Sequence, residues 1–372
     1  MIILEFYRQD NLSLQTRTHY ESCAQMILPG DPAPLFTQRA NTDWKHYSFD
    51  MAAGRYALLL FCSSLQKAAA RQTINALSSL YSLKASGRLE LFIVSTDPLD
   101  EEKTSDNTEQ YFTIFDSDKQ VHTQYDITPG TLTWVVINPM LRVKFVLEAD
   151  DKNFHFIKNF LQKAKSFQEG PVPALLLEEV LEHKFCTALI EYYNSQPSHI
   201  SGVLTQDHER KAIHADNFSF KRRRDCALSD PSLVRNLQAR IIRRVVPEIR
   251  KVFQCDVTGM DRMILSCYDA EDRGCFDPHR DNTVPGAMHR LFAISLNLND
   301  GFEGGDLFFP EFSARGFCPP PGGAVIFSTA LLHAVRPVTK GRRYACLPFV
   351  FNQASLDYAK KQEHCPPSTK PL

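Results

Sequence analysis

Two uninterrupted apolar segments, YALLLFC at Tyr56–Cys62 and LELFIVS at Leu89–Ser95, constrain the fold of this chain most strongly. A run without polar alternation is typical of a strand buried on both faces, as in a parallel sheet covered by helices. The stretch between them, residues 66–84, carries Leu77 and Tyr81 at helical spacing. The order strand, helix, strand therefore predicts an α/β layer fold.

The remainder of the first half continues this alternation. Strands are predicted over residues 111–115, 132–138 and 142–147, and helices over residues 121–125 and 152–167. The last two strands are expected to form a hairpin that turns at Pro139-Met140.

The pattern breaks at residues 169–174, where a glycine and two prolines predict a linker. A chain of 372 residues is long for one core and sufficient for two. We therefore expect a first domain over residues 28–168, a second over residues 175–355 and a tail over residues 356–372.

The second half opens with an apolar strand at residues 175–177 and a helix predicted over residues 178–194. A second helix, predicted over residues 230–253, contains Pro247, which is expected to kink or divide it. From Arg262 onward, short apolar segments alternate with Gly/Pro turns: RMILSCY, RLFAISLNL, DLFFPEF, GAVIFST, LLHAVRPV and RYACLPFVF. Many short strands with turn signals predict an α+β domain with a sandwich or jelly-roll barrel.

Composition is that of an ordinary globular protein, with 43% hydrophobic and 23% charged residues. A net charge of −1 creates no field that would gather nucleic acid, and the basic run Lys221–Arg224 is interpreted as a solvated face. Every apolar run is shorter than the roughly 20 residues that span a bilayer. We therefore expect neither a nucleic-acid nor a membrane partner.

The ten cysteines form no CxxC pair, which indicates a reducing compartment and a cytoplasmic location.

The motif Pro278-His279-Arg280-Asp281 places an imidazole and a carboxylate two residues apart. Alternate side chains of a strand share a face, so His279 and Asp281 are predicted to point the same way. A rolled sheet can bring His333, in LLHAVRPV, alongside them. Two histidines and one carboxylate on one face of a metal leave its other positions open, as in non-haem Fe(II) oxygenases. We predict that these three residues are the catalytic metal ligands, with a keto acid and O₂ at the open positions.

An arginine follows His333 across a turn at Thr339-Lys340-Gly341. Arg343 is predicted to lie on the neighbouring strand inside the same barrel, where its guanidinium can grip the distal carboxylate of 2-oxoglutarate. Arg342 is the alternative, because only one of two consecutive strand residues faces inward. Upstream, Tyr268 is predicted either to donate its hydroxyl to the keto acid or to pack in the barrel.

Three polar residues between these motifs have weaker signals. Ser295 and Asn297 share a face of RLFAISLNL that is predicted to face the barrel, which makes them candidate substrate contacts. His289 lies at the start of that strand, which favours a loop or structural role over metal binding.

Four blocks of the second half occur in a characteristic order and spacing: Tyr268…Gly274-x-Phe276-x-x-His279-x-Asp281, FEGGDL, PGGAVIF and His333…Pro337-Val338…Gly341-x-Arg343. Over residues 175–352 they resemble the prolyl-hydroxylase-type branch of the 2-oxoglutarate/Fe(II) dioxygenases. The resemblance implies a double-stranded β-helix core. It also implies Fe(II), 2-oxoglutarate and O₂ as reactants, ascorbate as an optional reductant, and succinate and CO₂ as products. The family's basic residue lies two positions after a glycine, which favours Arg343. The last block, YACLPF, lacks the tryptophan frequent in this branch, so subfamily and substrate stay open.

In the first half, Gly30-Asp31-Pro32-Ala33-Pro34 and YFTIFDSDKQVHTQYDI resemble the thioredoxin-fold peroxiredoxins over residues 28–168. A peroxidatic cysteine needs a lowered pKa, usually supplied by the helix that follows the first core strand. Here that turn reads SSLQ, and Cys62, which closes the strand, is predicted to be buried and inert. The resemblance therefore implies the fold without the peroxidase chemistry.

Three functions remain in view. The leading prediction is a dioxygenase that hydroxylates a C–H bond of a peptidyl proline, an amino acid or another small molecule or peptide. The first alternative is a catalytically silent module that senses a metal or 2-oxoglutarate, and the second is a thiol peroxidase based on Cys62. The sequence leaves the substrate, the role of the first domain and the oligomeric state open.

Overall fold

The computed structural model of the chain describes residues 27–42, 46–103, 110–164, 170–206, 212–215, 220–284 and 286–363. The chain forms two compact units, Met1–Ser166 and Phe167–Leu372. Within the described ranges, every helix is too short or too polar to span a lipid bilayer.

The first unit alternates strands and helices. Its strands are β1 (Thr37–Arg39), β2 (His46–Ser48), β3 (Tyr56–Cys62), β4 (Leu89–Ser95), β5 (Phe112–Phe115), β6 (Thr133–Ile137) and β7 (Val143–Glu148). Its α-helices are α1 (Ala68–Ala76), α2 (Tyr81–Ala85), α3 (Leu99–Lys103), α4 (Gln120–Gln124) and α5 (Asp151–Lys163), and 3-10 turns cover Phe49–Ala52 and Leu77–Leu80.

Five of these strands form one sheet in the order β5-β4-β3-β6-β7. β3, β4 and β5 are parallel, whereas β6 pairs antiparallel with β3 and with β7. Parallel neighbours require a crossover connection, which α1 and α2 supply between β3 and β4. Leu77 and Leu80 from this crossover pack with Ile157 and Leu161 of α5 against β3 and β4. The predicted α/β layer is confirmed.

The second unit is rich in short strands. They are β8 (Ala174–Leu177), β9 (His199–Ile200), β10 (Val203–Gln206), β11 (Ala212–Ala215), β12 (Lys221–Arg222), β13 (Arg224–Ala227), β14 (Gly259–Asp261), β15 (Ile264–Asp269), β16 (Cys275–His279), β17 (Phe292–Asn297), β18 (Glu303–Gly304), β19 (Leu307–Phe309), β20 (Ser313–Phe317), β21 (Ala324–Ser328), β22 (His333–Val335), β23 (Val338–Lys340), β24 (Arg342–Cys346) and β25 (Phe349–Phe351). The helices are α6 (His183–Ser195), α7 (Pro231–Arg244), α8 (Val246–Phe253) and α9 (Gln353–Glu363).

Two sheets build the body of this unit. The larger follows the order β14-β25-β17-β24-β15-β13-β9, with β21 and β8 added beside β17, and the smaller follows β12-β16-β22-β19-β20. Side chains alternate along β17. Ile294 and Leu296 pack with α6, α7 and α8, while Ala293 packs with Phe276 and Leu307 of the smaller sheet. The barrel interior therefore lies between the two sheets, and the predicted jelly-roll class with supporting helices is confirmed.

The structure corrects several predicted boundaries. The helix expected from residue 178 begins only at His183, because Glu179 adopts a left-handed backbone with φ 56° and the Leu181 amide donates to the Gly322 carbonyl at 2.9 Å. Pro247 does divide its helix, since α7 ends at Arg244 and α8 begins at Val246. The segment RYACLPFVF is two strands, β24 and β25.

The end of the second domain also differs from expectation. The tail expected from residue 356 starts within α9, a helix that continues to Glu363. Residues 165–169, at the predicted domain boundary, and residues 364–372 lie outside the described residues.

Candidate metal centre

The structure brings His279, Asp281 and His333 together at the barrel interior. One possible ligand atom from each lies within 4.8 Å of the others. His279 Nε2 is 3.6 Å from Asp281 Oδ1, and His333 Nε2 is 3.3 Å from Asp281 Oδ2. Two ligands about 2.1 Å from one metal and at right angles are roughly 3 Å apart, so these separations fit a shared ion. Among the described residues, this is the one group of three His, Cys, Asp or Glu side chains so arranged.

The two imidazoles are oriented by backbone carbonyls. His279 Nδ1 lies 2.8 Å from the Asp277 carbonyl, and His333 Nδ1 lies 3.0 Å from the Leu331 carbonyl. A carbonyl only accepts a hydrogen bond, so each Nδ1 carries a proton and each Nε2 is the nitrogen left to bind a metal. Such outer contacts fix the tautomer and the direction of a metal-binding histidine. Both Nε2 atoms therefore face Asp281.

Asp281 reaches the centre by a route that strand alternation did not predict. β16 ends at His279, so Asp281 lies in the turn after the strand. Its amide donates to the Thr329 carbonyl at 2.9 Å, which ties this turn to the segment that leads into His333. Arg280, between the two ligands, turns away and pairs with Glu311 at 3.0 Å. The position of Asp281 therefore depends on this hydrogen bond in the turn, rather than on the alternation of side chains along a strand.

The buried position of the centre shifts the pKa values of His279 and Asp281. Burial, reinforced by the neighbouring His333, holds the pKa of His279 well below its ordinary value, which keeps the imidazole neutral. Burial opposes ionisation of Asp281, but the neighbouring His333 and His279 side chains and Arg262 hold the pKa of this carboxyl below its usual range. Phe276 stacks on the His279 ring with centroids 3.5 Å apart. Two imidazole nitrogens beside a carboxylate are a donor set that Fe(II) accepts.

Arg343 lies in the wall of the same pocket. It is only 2% exposed and is carried by β24, which pairs with β15 and β17 in the larger sheet rather than with β22. The expectation that it would lie on the strand next to His333 is therefore wrong, although both residues line one pocket. Arg342 faces outward and pairs with Asp269 through Nε at 2.5 Å.

Three of the remaining predicted residues surround Arg343. Its Nε donates to Asn297 Oδ1 at 3.2 Å and a terminal nitrogen donates to Ser295 Oγ at 3.3 Å, so these two side chains position the arginine. Tyr268 is 1% exposed, and its ring lies 5.4 Å below the guanidinium carbon. His289 Nε2 is 3.2 Å from Asp261 Oδ2. The residue lies outside the pocket, which agrees with a structural role.

Sequence reasoning missed a charged network beside the pocket. Lys221 and Arg223 are 4% and 5% exposed, so these two side chains of the basic run do not belong to a solvated face, whereas Arg224 is exposed. Arg223 binds both oxygens of Asp225 at 2.7 and 2.8 Å and donates to the Tyr268 hydroxyl at 3.2 Å. Arg262 also lines the pocket. The sequence pattern that could have indicated this network is the alternation of Lys221, Arg223 and Asp225, because alternate residues of an extended segment share one face.

Comparison with known proteins follows the division into two units. Residues 29–152 match the AhpC/TSA family. A PKHD-type hydroxylase of Synechococcus sp. (strain JA-2-3B'a(2-13)) is 27% identical over 95 residues, which cover 24% of this chain and 42% of the relative. A PKHD-type hydroxylase of Pseudomonas fluorescens is 34% identical over 91 residues, covering 22% of this chain and 39% of the relative. The chain combines a peroxiredoxin-like domain with a hydroxylase-like domain.

Both predicted resemblances are thereby confirmed. The chain spans about two fifths of the length of the curated hydroxylases it matches. One solved structure similar to the hydroxylase-like unit is a prolyl hydroxylase in complex with a hypoxia inducible factor oxygen degradation domain peptide fragment, from Trichoplax adhaerens. It has 15% sequence identity and a TM-score of 0.41, and the match covers 54% of this chain and 89% of that one.

The peroxiredoxin-like unit keeps Cys62 away from solvent. The residue is 0% exposed at the end of β3, as predicted. Burial, together with the carboxylate of Asp100, raises the pKa of the Cys62 thiol to about 12. Asp100 accepts a hydrogen bond at 2.7 Å from the amide of Leu65, in the turn after β3, and one at 2.6 Å from Ser95 Oγ, at the end of β4. A thiol with this pKa supplies almost no thiolate at neutral pH.

Proposed function

We propose that the hydroxylase-like unit is an Fe(II)- and 2-oxoglutarate-dependent dioxygenase that hydroxylates a C–H bond of a small-molecule or peptide substrate. His279, Asp281 and His333 would hold Fe(II) through two nitrogens and one carboxylate oxygen. The observation that carries the proposal is the convergence of these three atoms beside a buried arginine in one pocket. The similarity to PKHD-type hydroxylases supports the same reaction class.

Arg343 fits the distal carboxylate of 2-oxoglutarate. Within the described ranges it has no carboxylate partner, although it is almost fully buried. A buried guanidinium is costly unless an anion compensates it, and its planar fork suits a bidentate carboxylate. Burial lowers the pKa of Arg343. Tyr268, on the facing strand position, closes this end of the pocket.

The protein's own residues would hold and orient the reactants. The chemistry that Fe(II) and 2-oxoglutarate would supply there is activation of O₂, with one oxygen atom entering succinate as CO₂ is released and the other entering the substrate C–H bond. Phe276, Phe327 and Phe349 line the pocket and exclude water from the centre. The Nδ1 contacts of the two histidines with backbone carbonyls would keep both Nε2 atoms directed at the metal.

The test is an anaerobic titration of the purified protein with Fe(II) and 2-oxoglutarate, followed by the visible metal-to-ligand charge-transfer band. We expect a band in the parent and in His289→Ala, whose imidazole lies outside the pocket, and none in His279→Ala. Circular dichroism establishes that both variants are folded. A band that survives in His279→Ala would refute the ligand assignment.

The same titration addresses the silent-module alternative. A folded, metal-replete parent without a band would mean that the keto acid does not chelate. Under air, release of succinate from 2-oxoglutarate in the parent but not in His279→Ala would exclude a catalytically silent module.

A further inference from the structure

The pocket around the candidate metal centre is more positive than its proposed reactants require. Its walls contain three arginines, Arg223, Arg262 and Arg343, and one carboxylate, Asp281. Arg343 has an assigned counter-charge in the distal carboxylate of 2-oxoglutarate. The other two arginines must be accounted for by the protein or by the substrate.

Arg223 is fully compensated within the protein. Asp225 accepts two hydrogen bonds from it, one from Ser266 Oγ at 2.6 Å, and a further one from Ser201 Oγ. Burial opposes ionisation of Asp225, but Arg223 holds the pKa of this carboxyl below its usual range. With both oxygens occupied, Asp225 has little capacity left for another cation.

Arg262 has no equivalent partner. Its nearest carboxylate oxygen is Asp225 Oδ2 at 3.9 Å, beyond hydrogen-bond distance, and no described residue accepts a hydrogen bond from its guanidinium. The guanidinium instead lies over the Phe349 ring, 5.2 Å from its centroid. The side chain is 26% exposed, so it is reachable from the pocket. Burial and repulsion from Arg223 lower the pKa of Arg262 to about 10.

The backbone at Arg262 is strained. The residue adopts φ 56°, the left-handed region that favours glycine, between β14 and β15. A branched or long side chain in this region costs roughly 1 kcal/mol. An arginine held in this conformation, without a hydrogen-bond acceptor and in the wall of a reaction pocket, is an unexplained cationic group.

We infer that Arg262 binds a carboxylate of the substrate, so that the molecule hydroxylated here is a carboxylic acid that bears its charge close to the oxidised carbon. The inference rests on the proposed function. With Fe(II), Asp281, 2-oxoglutarate and Arg343 in place, the remaining uncompensated charge is that of Arg262, and a substrate carboxylate neutralises it. A neutral segment of a peptide would leave this guanidinium covered and without an anion, which is costly.

The test compares propionate with propionamide, which have the same shape and differ in charge. The full-length protein is loaded anaerobically with Fe(II) and saturating 2-oxoglutarate, and ionic strength is held constant. We expect propionate to change the charge-transfer band and raise the melting temperature in a saturable way, and propionamide to do neither. In Arg262→Gln the midpoint should increase about 10- to 100-fold, the usual effect of losing a charge-assisted hydrogen bond.

Arg290→Gln is the matched control. Arg290 also lies over Phe349, at 4.2 Å, but it pairs with Asp261 at 3.2 Å and does not line the pocket. Its propionate midpoint should stay within about twofold of the parent, because its guanidinium pairs with Asp261 and does not line the pocket. Equal responses to propionamide, an unchanged midpoint in Arg262→Gln, or no saturable response to propionate would each overturn the inference. The melting temperature responds to anion binding even if no charge-transfer band forms. Failure of the proposed function can therefore be distinguished from failure of the inference on Arg262.

Discussion

Arg342 and Arg343 are adjacent in sequence, and their side chains occupy opposite environments. The side chain of Arg342 is 54% exposed and paired with Asp269, whereas Arg343 is 2% exposed and faces the pocket. The difference follows from strand geometry, because consecutive side chains of β24 point to opposite faces. The pair therefore offers a charge-matched comparison for the 2-oxoglutarate contact.

We predict that Arg343→Gln weakens 2-oxoglutarate binding about 10- to 100-fold, because a bidentate, charge-assisted contact of about 1.5–3 kcal/mol is lost. Arg342→Gln should change the affinity by less than about twofold, since it removes an exposed ion pair. The midpoint of the anaerobic charge-transfer titration measures both. A larger loss in Arg342→Gln than in Arg343→Gln would reverse the assignment.

The buried pair Arg223–Asp225 leads to a stability prediction. Removing one partner of such a pair leaves an uncompensated buried charge and typically costs about 3–5 kcal/mol. We expect Asp225→Ala to lower the free energy of unfolding by this amount, because Arg223 loses the carboxylate that it contacts at 2.7 and 2.8 Å.

Urea unfolding of the full chain measures this loss. The double variant Arg223→Met/Asp225→Leu should be less destabilised than Asp225→Ala, since it removes both charges. A double variant at least as unstable as the single one would show that the polar network itself, rather than the orphaned cation, carries the stability.

Some single residues of the site could be predicted from the sequence. His279, Asp281, His333 and Arg343 could be singled out because motif spacing and strand parity are local properties. Arg262 could not, because its significance depends on Asp225 being saturated by other donors, which is a property of the packed structure.

At the scale of elements, the turn that precedes β21 supports the start of α6. Gly322 adopts φ +83°, and a Cβ there would lie 2.1 Å from the Leu181 carbonyl oxygen. The Leu181 amide in turn donates to the Gly322 carbonyl. This close backbone approach holds residues 178–182 out of the helix, which is why helical periodicity placed its start too early. Helical periodicity reveals an apolar face. It does not reveal that the carbonyl of Gly322, distant in sequence, accepts a hydrogen bond from the Leu181 amide.

We predict that Gly322→Ala destabilises the second unit more than Gly301→Ala does. Both glycines have a left-handed backbone, with φ +83° and +80°, so both variants incur the same conformational cost of about 1 kcal/mol. A Cβ at Gly301 meets nothing within 4 Å, whereas one at Gly322 forces the Leu181 backbone to move. The additional loss should be about 1–3 kcal/mol, as for other overpacked sites.

Chemical unfolding of the two variants under identical conditions gives the difference directly. Equal losses would mean that the turn can move away from Leu181 without cost, and that the contact does not fix the beginning of α6.

At the scale of the whole molecule, the chain contains separate hydrophobic cores. One, around Leu58, Leu91 and Trp134, belongs to the first unit, and those around Leu237 and Phe309 belong to the second. The two-domain organisation could be predicted because the change from strand–helix alternation to short strands is visible in the sequence. The barrel's strand order could not, since pairings such as β15 with β24 join segments distant in sequence.

Separate cores predict separate unfolding transitions in calorimetry of the full chain. A ligand that binds one folded unit stabilises that unit alone, by about 2.7 kcal/mol at a hundred times its dissociation constant. Fe(II) with 2-oxoglutarate, added anaerobically, should therefore raise one melting temperature and leave the other unchanged. In His279→Ala neither should move, because the ligand set at His279, Asp281 and His333 is incomplete. If both transitions rise together in the parent, the two units unfold as one cooperative body, and the peroxiredoxin-like unit contributes to the stability of the metal centre.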